Sequence, residues 1–154
     1  FVDTIAELKK FQNDWIGVII GKGSYESTLK NYIQNKQLTD SIVFPGPVYD
    51  HNELRKIYNQ AEILLLTSHH EGIPMTILES LACGTPVLST DVGGISKLTT
   101  KEVLCYTLKE RKASLFAEQI VKISALPKVN PEHFPYSSAL ISSTINKILK
   151  NEPK

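Results

Sequence analysis

Long apolar runs are missing from this chain: the longest, Ile63 to Leu66, falls far short of the roughly 20 residues that cross a bilayer as a helix. Cysteine is scarce too. Cys83 and Cys105 are the only two in 154 residues, which leaves no disulfide framework and no metal-ligand spacing. Each stands in an apolar segment and reads as a reduced core residue of a cytoplasmic protein. Excess charge is also absent. The 17 Lys and Arg nearly cancel the 16 Asp and Glu, for a formal net charge of +1, so nothing indicates a general affinity for nucleic acid or an anionic membrane. Basic pairs such as Lys9-Lys10 and Arg111-Lys112 are scattered and read as solvated faces. There is no internal repeat and no low-complexity segment. Phe1 opens an amphipathic stretch, without the basic region and apolar run of a secretory signal. The first residue is not Met, so the chain is expected to be an excised fragment.

The composition is that of one ordinary globular domain, with 42% hydrophobic and 21% charged residues. Segments of helical period alternate with short apolar runs. Val2, Ile5, Ala6, Leu8 and Phe11 share one face of a helix expected over residues 2 to 13. Trp15 to Ile20 reads as a strand buried on both faces, and Ser24 as the cap of a helix from Tyr25 to Gln37. Ser41 to Phe44 is a short strand that Pro45-Gly46-Pro47 should end. Asp50 with Glu53 has capping-box spacing, which predicts a helix over His51 to Gln60. Glu62 to Leu66 is a strand, and Pro74 to Ala82 a helix with Gly84 just past its end. Pro86 to Ser89 and Val103 to Thr107 are further strands, with the Val92-Gly93-Gly94 turn and a short helix between them. Ala113 to Leu126 is a helix, residues 127 to 135 a linker, and Ser137 to Lys150 a last amphipathic helix expected to pack on the body. Connections this long do not make hairpins. They predict a Rossmann-like, doubly wound α/β domain whose parallel sheet has five or six strands and helices on both faces.

Ligands of such sheets bind at the carboxyl ends of the strands. Four loops should reach that edge: Gly21 to Ser24, Pro45 to Val48, Thr67 to Pro74, and Asp91 to Gly94. The third sets a carboxylate, a glycine and a proline before a helix. A helix amino terminus offers unpaired N–H groups and about half a positive charge, which suits a phosphate or diphosphate. Gly72 admits a close approach to the backbone. Glu71, beside an anion site, should face hydroxyl groups, and Glu79 lies on a different side of the helix from Leu78, Leu81 and Ala82, the expected packing face. On spacing alone, Glu71 reads equally well as a solvated loop acid or a helix-dipole partner, and Glu79 as a surface ion-pair member. His69-His70 lacks a third ligand at metal spacing and reads as a structural pair, and Lys22 reads as solvated.

Residues 61 to 95, AEILLLTSHHEGIPMTILESLACGTPVLSTDVGGI, resemble the signature of glycosyltransferase family 4 and its relatives. These are retaining enzymes built from two Rossmann-like domains, the arrangement called GT-B. The pattern is a strand, Ser-x-x-Glu-Gly-x-Pro, a second Glu after seven intervening residues, Ala-Cys/Ala-Gly-x-Pro-Val and a Gly-Gly turn. Gly21-Lys22-Gly23 is similar to the family's first glycine loop and Val43-Phe44-Pro45-Gly46 to its second. The resemblance covers residues 5 to 98 well and the remainder loosely. It implies that the chain is the donor-binding, carboxy-terminal half of such an enzyme, with a nucleoside-diphosphate sugar as donor substrate. Glu71, the catalytic candidate, would bond the sugar hydroxyls. Backbone N–H groups around Gly72 to Thr76 would hold sugar and diphosphate, in a donor-binding stretch that takes in Ile73, Met75 and Pro74, the last without an N–H of its own. Glu79 would bond the ribose, Gly21 and Gly23 would line the cleft, and backbone at Pro47 and Val48 would meet the base. These groups would stabilise the departing nucleoside diphosphate where charge develops.

The chain departs from the family pattern in several places. The strand that usually carries an Arg and a Lys for the diphosphate would precede Phe1, and the acceptor-binding domain is expected outside this chain as well. Ser96-Lys97 stands where Pro-Glu is common, and the usual glycine near Tyr106 is missing. No strong Asp-x-Asp motif occurs, so no metal is expected to be required; the resemblance likewise implies no cofactor beyond the donor substrate. The fragment alone is expected not to transfer sugar. The implied setting is cytoplasmic glycan or polysaccharide biosynthesis, with no nucleic-acid partner and with any peripheral membrane association made through the other domain. Two rival readings stay open at this level: a nucleotide-sugar epimerase half-domain, and a non-catalytic nucleotide-binding module.

Overall fold

The computed structural model describes residues 1–72, 74–98 and 104–126. Ile73, Val103, the expected linker and the expected helix over Ser137 to Lys150 lie outside the described residues. The alternation read from the sequence is present throughout: α1 (Val2–Phe11), β1 (Gly17–Ile20), α2 (Glu26–Asn35), β2 (Ile42–Gly46), α3 (His51–Gln60), β3 (Leu64–Leu66), α4 (Met75–Ala82), β4 (Val87–Thr90), a short 3-10 helix (Ile95–Leu98), β5 (Cys105–Leu108) and α5 (Ala113–Ser124). No helix among the described residues is long and apolar enough to cross a membrane.

All strand pairs are parallel, as the long connections require. They form two ladders instead of one continuous sheet. β1 lies on β2, with Gly17 beside Ile42 and Val18 beside Val43. β4 lies between β3 and β5, with Leu88 beside Leu65 on one side and Tyr106 on the other. The pleat sends alternate residues of the second sheet to opposite faces. Leu88, with Leu65 and Tyr106, joins a core shared with Val2, Ile5 and Leu8 of α1 and with Phe116 and Ile120 of α5. Val87 and Cys105, with Leu64 and Leu66, join a second core with Ile77, Leu78 and Leu81 of α4. Helices therefore cover both faces of this sheet, and every residue of the central strand β4 is buried. Ile42 of β2 and, partly buried, Ile19 of β1 enter the first core, so both ladders share one apolar interior.

The first ladder corrects the reading of residues 15 to 20 as a strand buried on both faces. Its face toward α1 is tight: a Cβ on Gly17 would lie 3.0 Å from the Phe1 ring and 3.1 Å from Cγ1 of Ile5. Its other face carries Val18, Ile20 and Val43, which are 44%, 37% and 46% exposed. An unbroken apolar run fits one-sided and two-sided cover equally well, which is why periodicity alone could not separate them.

Smaller corrections concern boundaries. β2 continues through Pro45 to Gly46, because Pro45 falls where the register between β1 and β2 shifts and no ladder N–H is needed there. Ser24 caps nothing. The N-cap of α2 is Tyr25, which makes no side-chain capping bond, and a backbone bond from Glu26 N–H to the Gly23 carbonyl at 3.1 Å closes the turn. Asp50 caps α3 as expected, accepting from the N–H groups of Asn52 at 2.7 Å and Glu53 at 3.2 Å. Phe11 and Ala82, assigned to packing faces, are exposed at the last positions of their helices. Gly84 follows α4 with φ of +74°, the left-handed turn that ends a helix.

Candidate functional site

Specific bonds tie the loops that follow the strands together in two groups. Gly21, with φ of +124°, follows β1 and donates its N–H to the Gly46 carbonyl at 3.0 Å. Gly46 itself has φ of +84°. Gly21 and Gly23 face open space, since a Cβ on either would meet nothing within 4 Å. Beyond Gly46, Pro47 is exposed and Val48 half-buried.

The second group is held more firmly. Thr90 Oγ1 donates to the Ser68 carbonyl at 2.6 Å, and the Asp91 N–H donates to the Leu108 carbonyl at 2.9 Å. An Arg111 guanidinium N–H meets Nδ1 of His69, so the loops after β3 and β5 touch. The Gly93-Gly94 turn lies directly against the backbone of Glu71 and Gly72. Gly94 donates to the Gly72 carbonyl at 3.3 Å. Gly93 has φ of +58°, and a Cβ there would sit 1.8 Å from the Glu71 carbonyl oxygen. Only glycine supplies both that conformation and that closeness. The sequence marks Gly93 as a turn residue, but it does not reveal the surface against which the turn packs.

Gly72 is exposed, and a Cβ on it would meet nothing within 4 Å. Just beyond, Pro74 occupies the N-cap of α4 with extended backbone instead of its first helical turn, and it makes no side-chain capping bond. The amide end of α4, with exposed Met75 and Thr76, therefore has no side-chain cap. Oriented N–H groups and the helix dipole make such an end favourable for an anion. Glu71 and Glu79 are both half-buried, one just before the helix and the other in its middle. No backbone hydrogen bond among the described residues joins this group to the Gly21–Gly46 pair.

Glu79 has a partner that its spacing does not reveal. The Tyr58 hydroxyl, from the last turn of α3, donates to Glu79 Oε2 at 3.0 Å. Burial, and then this bond to the carboxylate, push the Tyr58 phenol well above the usual tyrosine range. The neighbouring Cys83 thiol is raised by burial, with Arg55 acting in the opposite direction. Tyr58 stands 21 residues before Glu79 in sequence, and no local pattern connects the two. Lys22 is exposed, as its solvated reading required.

A parallel α/β domain with helices on both faces of its three-stranded sheet defines a Rossmann-like class of folds. The family model described as glycosyl transferases group 1 matches residues 1–135, and the chain belongs to that family. It is 32% identical over 105 residues to the lipopolysaccharide core biosynthesis mannosyltransferase LpsB of Rhizobium meliloti, which covers 65% of this chain and 29% of that protein. It is 32% identical over 114 residues to the colanic acid biosynthesis glycosyltransferase WcaL of Escherichia coli, named as putative, covering 70% of this chain and 28% of that protein. The chain thus spans under a third of the curated relatives it matches. Among solved structures, TarM of S. aureus in complex with UDP superposes with a TM-score of 0.74 at 18% identity, covering 98% of this chain and 32% of that one. HepE of Anabaena in complex with UDP-glucose superposes with a TM-score of 0.69 at 19% identity, covering 97% and 44%. These likenesses establish the fold.

Proposed function

We propose that this chain is the donor-binding part of a retaining glycosyltransferase that moves a sugar from a nucleoside diphosphate to an acceptor in polysaccharide biosynthesis. The observation that carries the reading is the Gly93-Gly94 turn seated on the Glu71–Gly72 backbone, which fixes the main chain of an acidic residue and an open glycine before the amide end of α4, an end without a side-chain cap. The diphosphate sits at that amide end. Glu71 accepts from sugar hydroxyls, Glu79 accepts from the ribose, and the loops at Gly21–Gly23 and Pro47–Val48 border the nucleoside.

In the transfer, the bond between the anomeric carbon and the diphosphate oxygen breaks and its electron pair leaves with the diphosphate. The acceptor oxygen bonds to the same face of that carbon, and its proton passes to the departing diphosphate. Backbone N–H groups at Gly72, Met75 and Thr76 favour the charge that develops there. The acceptor-binding domain, and a strand carrying cations for the diphosphate, come from outside this chain. The short coverage of LpsB and WcaL supports that division.

Titration of the Glu71→Gln and Glu79→Gln variants with nucleoside diphosphates tests the assignment. Glu79→Gln should weaken binding about ten-fold or more, because a hydrogen bond to a charged group is worth about 1.5–3 kcal/mol. Glu71→Gln should leave the sugar-free ligand nearly unaffected. Equal affinity of wild type and Glu79→Gln would return Glu79 to a surface charge, and a large loss in Glu71→Gln would remove it from the sugar.

A further inference from the structure

We propose that Tyr58 is the positioning residue of Glu79: its hydroxyl fixes one carboxylate oxygen so that the other is presented to the ribose hydroxyls, and the pair thereby selects ribose over deoxyribose. The inference rests on the reading of Glu79 given above.

Tyr58 is only 8% exposed, and its backbone is anchored as firmly as its hydroxyl. Thr85 Oγ1 donates to the Tyr58 carbonyl at 2.6 Å. Thr85 is in turn locked to α4, its N–H donating to the Ser80 carbonyl at 3.0 Å and its own carbonyl accepting from Ser80 Oγ at 3.1 Å. Ser80 and Thr85 are both buried. The end of α3, the end of α4 and the turn at Gly84 therefore form one rigid frame, and the 3.0 Å bond from Tyr58 to Glu79 closes it.

A solvated surface acid has no use for such a frame. A phenol has one proton to give, so it binds one carboxylate oxygen and leaves the lone pairs of Oε1 to another donor. Because the donor is neutral, it orients the carboxylate without neutralising it. A free glutamate loses rotamer freedom when it grips a ligand, and a side chain already held in place avoids much of that loss at the moment of binding. The two adjacent hydroxyls of a ribose suit an oriented carboxylate that can only accept.

The test is calorimetric titration of the wild-type chain, Tyr58→Phe, Glu79→Gln and the double variant. The probes are UDP and GDP, each with its 2′,3′-dideoxy counterpart. Phenylalanine keeps the ring and its packing, and melting curves verify the fold. For the nucleotide that binds more tightly, wild type should prefer the ribose form by about ten-fold or more, and Tyr58→Phe should cut that preference to about three-fold or less. Affinity for the dideoxy form should stay within about two-fold in Tyr58→Phe, which a loss of packing alone would not spare. Glu79→Gln should abolish the preference, and adding Tyr58→Phe to it should change nothing further. A preference lost in Glu79→Gln but retained in Tyr58→Phe would overturn this inference alone. An equal loss for both forms in Tyr58→Phe would reduce Tyr58 to packing. Absence of any preference in wild type, or its survival in Glu79→Gln, would remove the Glu79 reading and this inference with it.

Discussion

Replacing Gly93 with alanine puts a methyl carbon 1.8 Å from the Glu71 carbonyl oxygen, 2.9 Å from the Glu71 carbonyl carbon and 3.2 Å from the Gly72 carbonyl oxygen. Real Cβ contacts essentially never fall below 3.0 Å, so the two backbones must part by roughly 1.2 Å, the difference between that floor and 1.8 Å. Both partners are main chain, and neither can swing aside as a side-chain tip would. The φ of +58° adds about 1–2 kcal/mol for a residue with a Cβ, and the forced separation adds about 1–3 kcal/mol. A total of about 2–5 kcal/mol is a large share of a typical domain's stability of about 5–15 kcal/mol. For a chain of this size it should lower Tm by roughly 5–15 °C. Gly23→Ala is the control, because its Cβ would meet nothing within 4 Å, and it should leave Tm within a degree or two. Calorimetric scans of the two variants beside wild type give the comparison. If Gly93→Ala melts with wild type, the contact between the Gly-Gly turn and the Glu71 loop is not the clamp described here.

Three further outcomes follow from particular contacts. Asp50→Ala removes the acceptor of two N–H bonds at the start of α3 and should cost about 1 kcal/mol in chemical denaturation, whereas Ser24→Ala should stay within about 0.5 kcal/mol. Burial pushes the Cys105 thiol up to about 11, so it should resist iodoacetamide at neutral pH until the chain unfolds. The unfolded thiol ionises at lower pH than the folded one, so its contribution is fully present below the ordinary thiol range. That contribution falls away as pH rises toward about 11. Cys105→Ala should flatten this alkaline decline in denaturation experiments run as a pH series.

The elements that the sequence announced most clearly are those with a local chemical cause. The bounds of α3 were readable because Asp50 is a side-chain cap with its targets two and three residues on. The end of α4 was readable because Gly84 takes a conformation that other residues avoid. The parallel order followed from connection length. What stayed hidden was set at a distance. Whether Val18 and Ile20 are covered depends on elements far along the chain, and their apolar character looks the same either way. Pro45 stays in β2 because the register shifts beside it, and register belongs to the pair of strands, not to one of them. At the site, Glu71, Gly72 and Glu79 stood out by motif, while their supports did not. The tyrosine that holds Glu79 comes from another helix, and Gly93 reads as an ordinary turn glycine until the Glu71 carbonyl is found against it. The contact between Arg111 and His69 joins two loops that the sequence treats separately.

Amide chemical-shift mapping of the isotopically labelled chain against a nucleoside diphosphate locates the ligand on the domain. The largest shifts should fall at the N–H groups of Gly72, Met75 and Thr76, with smaller ones at Gly21, Gly23 and Val48. Glu79→Gln should weaken the response without moving it. Shifts clustered on the exposed face of Val18, Ile20 and Val43, or none at millimolar ligand, would overturn the donor-binding assignment.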